Sequence, residues 1–213
     1  MGAPYIKSDF KFSQESLDWI LNTFGFLKDV KLGHDLFRMT LSKKQLGRDI
    51  SFDGSTAFEE IKNYLKKFGI DESYYVNERA GPDIFCHNKT DPVLYYPHFD
   101  GNYDNSKLVK TRFNVCVIYN PIDDMHWWED VVPGHRLVMP DRRMPVAVKG
   151  NTAKEKLFYL GNPSCVAEQL YSDTCSAFVR TDCAHSFTLK NPGLRLVITV
   201  ALDKTVDELR EYL

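Results

Sequence analysis

The sequence predicts a mainly β protein with flanking helices, on three observations. The first seventy residues carry apolar side chains at helical spacing, as in Leu17, Ile20, Leu21 and Phe24. From Asp83 onward the texture changes to short β-branched and aromatic runs cut by Pro, Gly and Asn. The run Leu194 to Leu202 is apolar on both faces, as expected of a strand in the middle of a packed double sheet. At 213 residues, 43% of them hydrophobic, the chain can bury one sizeable core. It therefore reads as a single domain over 1–213. Residues 1–80 form a helical N-terminal support, 81–203 the β core and 204–213 a C-terminal helix.

In chain order, the first helix follows Ser13, and the second carries Phe58, Ile61, Leu65 and Phe68. Thr56 and Glu59 have the spacing of a capping box, and Gly69 stands where that second helix should end. Neither apolar stripe carries chemistry, so both helices are expected to cover one face of a sheet. Strands are expected at Pro92 to Phe99, Thr111 to Tyr119, His135 to Met139, Pro145 to Val148, Lys156 to Leu160, Cys175 to Arg180 and Gly193 to Leu202. Asp123 to Asp130 has no clean period and reads as a loop, in which Trp127 and Trp128 form either a lid against substrate or an aromatic pin to the surface. Thr205 and Glu208 then cap a short terminal helix presenting Val206, Leu209 and Leu213.

Composition excludes several classes. A net charge of -2 and a pI near 6.3 provide no broad basic field, which disfavours a nucleic-acid binder. The five cysteines are odd in number and include no C-x-x-C pair, against a disulfide framework or a structural zinc site. The N-terminal residues lack the apolar core of a signal peptide, and no run approaches the roughly eighteen apolar residues of a membrane span. A soluble protein of the cytoplasm, with no membrane partner, is the expectation. Gly150 to Lys154 lacks the second glycine and the Lys-Ser/Thr ending of a phosphate loop. Nothing in the pattern specifies an oligomeric state.

The chemistry concentrates in four residues. His98 and Asp100 flank Phe99 in an extended run, and residues i and i+2 of a strand share a face about 6.6 Å apart, so an imidazole and a carboxylate can converge on one metal ion. Arg195 stands inside the two-sided apolar strand, where a guanidinium is costly to bury unless an anion meets it. That anion is either a structural Asp or Glu or a bound acid. His185, ten positions earlier, changes the balance. Two His and one Asp hold a metal on one side and leave the other open, a geometry typical of non-haem Fe(II) oxygenases.

These residues, in this order, resemble the Fe(II)/2-oxoglutarate-dependent dioxygenases, whose pattern is H-x-D, a distal His and a basic residue about ten places on. The segments Tyr95 to Asp100, Arg112 to Asn120 and Ala177 to Leu202 look like the family's core strands, and Arg112 to Asn120 is similar to the equivalent strand of the prolyl-hydroxylase branch. The resemblance covers roughly the last 130 residues. It implies a double-stranded β-helix, or jelly-roll, with the N-terminal helices packed on one sheet. It implies Fe(II) on His98, Asp100 and His185, 2-oxoglutarate chelating the iron with its far carboxylate on Arg195, and O2 at the remaining position. Oxidative decarboxylation to succinate would drive hydroxylation of an unactivated C–H bond of a small, amino-acid-like or biosynthetic molecule. The alternatives are a prolyl-hydroxylase-like modifier of protein or peptide and a jelly-roll binding module without turnover.

Two details refine this implication. Relatives with Arg-x-Ser place a hydroxyl beside the arginine, but that position is Val197 here, so another hydroxyl must help. Tyr119 matches the tyrosine that meets the same carboxylate in the prolyl-hydroxylase branch. Arg112 and Asn114 have the opposite alternation and are expected at an edge or entrance, together with Trp127 and Trp128 as candidate substrate contacts. Related halogenases carry Gly or Ala in place of Asp100, which disfavours halogenation. His126, His135, Arg142 and Arg143 read as solvated side chains.

Overall fold

The computed structural model describes residues 3–25, 37–40, 55–76, 82–89, 93–94, 109–118, 124–128, 165–168, 176–183, 185–189 and 193–212. Within them the elements run β1 (Tyr5–Ser8), α1 (Gln14–Phe24), β2 (Phe37–Thr40), α2 (Thr56–Lys66), β3 (Asp83–Lys89), β4 (Val93–Leu94), β5 (Thr111–Ile118), β6 (Asp124–Trp128), β7 (Cys165–Glu168), β8 (Ser176–Arg180), β9 (His185–Leu189), β10 (Gly193–Leu202) and α3 (Val206–Leu209). The expected strands at His135–Met139, Pro145–Val148 and Lys156–Leu160 lie outside the described residues.

Both N-terminal helices start where a serine hydroxyl can accept from an otherwise orphaned backbone N–H. Ser13 accepts from Ser16 N in α1, and Ser55 from Phe58 N in α2. The α2 cap is thus one residue earlier than Thr56, because Ser55 is still extended and Thr56 is already helical; Glu59 pairs with Lys62 instead of closing a capping box. Gly69, at φ 64°, ends the helical stretch as expected, since a positive φ suits only a residue without Cβ. Glu60 of α2 accepts from the backbone N and hydroxyl of Ser13, tying the two helices together.

The buried faces of these helices form one continuous core with the sheet. Ile20 and Phe24 of α1 and Phe58, Ile61 and Leu65 of α2 pack with Phe113, Val115, Phe178, Leu196, Ile198, Val200 and Leu202. Leu21, expected in the α1 stripe, is instead exposed. Each large apolar side chain removed from water here contributes about 1.5–3 kcal/mol.

The strands form two antiparallel sheets. The six-stranded sheet has the order β1-β8-β5-β10-β3-β2, and the four-stranded sheet β4-β9-β6-β7. Pairing is nested: β3 with β10, β4 with β9, β5 with β8 and β6 with β7. Two strands, β1 and β2, fall within the region read as purely helical, and β1 extends the larger sheet by pairing with β8.

Cys116, Met125, Trp127, Ala177, Val179 and Val197 form a second apolar cluster, which joins β6 of the smaller sheet to β5, β8 and β10 of the larger. The larger sheet is therefore covered on both faces, by helices on one side and by the smaller sheet on the other. That explains why β10 carries apolar residues on both faces, with Arg195 and Thr199 as its polar members.

Asp124–Trp128, read as a loop, is strand β6. Met125 and Trp127 alternate into the second cluster, and the Trp127 indole N–H donates to Arg180 O at 2.9 Å while its ring stacks on Tyr5. Adjacent tryptophans masked the period of a strand only five residues long. At the far end the Thr205/Glu208 capping box is present, with Val206 and Leu209 buried. No helix among the described residues is long and apolar enough to cross a membrane.

Candidate active site

The layer between the two sheets holds the polar side chains of interest. His185 opens β9 and pairs directly across from Trp127, so both point to the same face of the smaller sheet, toward the second apolar cluster. It is 4% exposed. Its Nδ1 lies 3.0 Å from the carbonyl oxygen of Cys183. A carbonyl only accepts, so Nδ1 carries the proton in this contact. This is the arrangement in which an outer partner fixes the tautomer and orientation of a metal-binding imidazole. The Cys183 thiol beside it is pushed up to about 11 by burial, which keeps it protonated and outside any nucleophilic or thiolate-ligand role at neutral pH.

Arg195 enters the same layer from the larger sheet. Alternation along β10 sends Leu196, Ile198, Val200 and Leu202 to the helix side, while Val197 joins the inter-sheet cluster; Arg195 and Thr199 share the Val197 face. Arg195 is 8% exposed. Val197, in the position where a serine hydroxyl would stand beside the arginine, is fully buried and apolar.

Arg112 and Asn114 belong to this layer too, not to an edge or entrance. Both are buried, and they alternate with Cys116 on the inter-sheet face of β5. The expectation assumed uninterrupted alternation up to Tyr119. Instead Val197 pairs with Cys116 whereas Leu196 pairs with Ile118, so Val117 is one residue more on β5 than on β10. A single inserted residue inverts the alternation beyond it, and both Val117 and Ile118 pack toward the helix-side core.

His98, Asp100, Tyr119, His135, Arg142 and Arg143 lie outside the described residues, as do the side chains of His126 and Trp128 within β6. Among the described residues no group of three His, Cys, Asp or Glu side chains gathers. Of the four-part pattern, the structure thus brings His185 and Arg195 onto the two facing surfaces of one layer. Trp127 sits beside His185 as part of a strand rather than a lid.

Sequence reasoning passed over two groups here. The Cys183 carbonyl has no side-chain signature. Thr199 is legible in the sequence as the third member of the alternating set Arg195, Val197, Thr199. Searches against known protein families and curated proteins match no family model and no relative.

Proposed function

We propose that the protein is an Fe(II)/2-oxoglutarate-dependent oxygenase of the cytoplasm that hydroxylates an unactivated C–H bond of a small molecule. The observation that carries this reading is the burial of His185 and Arg195 on facing sides of one inter-sheet layer, in strands whose nested pairing runs β3·β10, β4·β9, β5·β8, β6·β7. That nesting is a long antiparallel double strand rolled upon itself, which supports a double-stranded β-helix.

The described residues fit the groups this reading requires. An imidazole whose Nδ1–H is committed to a carbonyl offers Nε2 to a metal, and a guanidinium on an apolar face suits a carboxylate far better than bulk hydration would. His98, Asp100 and His185 would hold Fe(II), and Arg195, aided by Tyr119, would hold the far carboxylate of 2-oxoglutarate. When bound, the iron and its cosubstrate supply the oxidising power for C–H cleavage with O2. The chain's own residues orient the acid, hold His185 in one tautomer and exclude water behind Trp127 and Val197.

An anaerobic titration tests the proposal. Fe(II) plus 2-oxoglutarate should give a weak visible charge-transfer band, and admission of oxygen should release succinate. Asp100→Ala and His185→Ala should abolish succinate release. A band without succinate, across a library of small molecules and peptides, would instead mark a binding module; succinate stimulated only by peptides would mark a protein hydroxylase. Absence of the band at millimolar 2-oxoglutarate would overturn the reading.

A further inference from the structure

Thr199 is completely buried, and its hydroxyl has no hydrogen-bond partner among the described residues. It lies on the β10 face that carries Arg195 and Val197, directly across from the buried Asn114 of β5. A buried hydroxyl left unsatisfied is a standing cost to the fold, and such groups in native structures call for an explanation. Three strand residues separate Thr199 from Arg195 on the same face of β10, a span of about 13 Å between their backbones.

We infer that Thr199 is a binding residue for the same acid that Arg195 anchors: its hydroxyl donates a hydrogen bond to the bound 2-oxo diacid, on the stretch of β10 beyond Val197. The inference rests on the proposed function and deepens it. Val197 leaves the guest without a neighbouring hydroxyl, and Thr199 supplies one from two residues further along the same face. An unsatisfied buried hydroxyl costs the fold stability, and a hydrogen bond to the guest offsets that cost.

Thr111 provides an internal control. Its hydroxyl is equally buried and unsatisfied, but it alternates with Phe113 and Val115 on the helix side of β5, away from the layer. Replacing either threonine by valine should raise the melting temperature of the ligand-free protein by a few degrees, because each change removes an unsatisfied buried hydroxyl. Only Thr199→Val should also weaken 2-oxoglutarate, by about tenfold, in an anaerobic Fe(II) titration. Thr199→Ser, which keeps the hydroxyl, should retain wild-type affinity, and Thr199→Ala serves as the hydroxyl-free variant should valine fail to fold.

If wild-type protein binds 2-oxoglutarate and Thr199→Val, or Thr199→Ala in its place, binds it equally well, the role of Thr199 is wrong while the oxygenase reading stands. If wild-type protein binds no 2-oxoglutarate at all, both fall.

Discussion

Arg195 stands on the inter-sheet face of a strand whose other central residues are nearly all apolar, and burial of a cation in such a place is tolerable only when an anion answers it. In the oxygenase reading the carboxylate of the guest is one anion that meets it. Arg195→Ala should therefore weaken 2-oxoglutarate by about 2 kcal/mol or more while leaving the Fe(II) site intact, measured by anaerobic titration of the charge-transfer band. Unchanged affinity would reassign Arg195 to a structural ion pair. His185 illustrates what single residues reveal and conceal. Its type and its distance from Arg195 are visible in the sequence, but the proton on Nδ1 depends on a backbone carbonyl two residues away, and nothing in a residue's identity announces where its carbonyl points.

At the scale of elements, caps and alternation decide what is readable. The Thr205/Glu208 box was legible because its four-residue pattern is self-contained, and Thr205 does accept from Glu208 N while the Glu208 carboxylate reaches back to Thr205 N. Thr205→Ala should cost about 1 kcal/mol of stability, measured as a shift in the urea midpoint with unchanged slope. The α2 start was misplaced by one residue because Ser55 and Thr56 are both acceptable caps, and only the extended backbone at Ser55 chooses between them. β6 is not legible in the sequence, because a short strand with bulky neighbours carries too few residues to establish a period. The extra residue at Val117 is a further limit of local pattern. One inserted position on β5 reverses which side chains face the layer, and it becomes visible only against the register of β10.

For the molecule as a whole, nested pairing makes the fold dependent on contacts between distant segments: β3 meets β10 and β5 meets β8. Its titrating groups set the pH range in which those contacts persist. Backbone and hydroxyl donors of Thr205 hold the Glu208 carboxyl below its ordinary value; burial raises that of Glu60, but the Ser13 and Ser16 donors outweigh it and the net shift is also downward. Depressed carboxylates stabilise the fold above their unfolded values near 4.5, and that contribution is lost as pH falls through the folded ones.

On the alkaline side the sign reverses. Burial raises the Cys183 thiol from 9.0 to about 11 and the Tyr75 phenol from 10.0 to about 12, so the fold favours their neutral forms. Their contribution is complete below the unfolded values and is lost as pH rises through the folded ones. The urea midpoint should accordingly be flat between about pH 5 and pH 9 and decline on both sides. A midpoint still at its plateau at pH 11 would contradict the burial of Cys183 and Tyr75.

Hydrophobic spacing and turn residues determined by themselves that this chain carries two amphipathic helices ahead of its main β region and buries its last long strand on both faces, because periodicity is a local property of sequence; the strands β1 and β2 within that helical part were not legible. The order His98, Asp100, His185, Arg195 likewise stands in the sequence as a candidate iron and diacid site. Which strands pair, which of two alternating sets lines the layer between the sheets, and that His185 and Arg195 enter it from opposite sides were decided only by the tertiary structure. Register and sheet packing join residues far apart along the chain, and no local pattern encodes them.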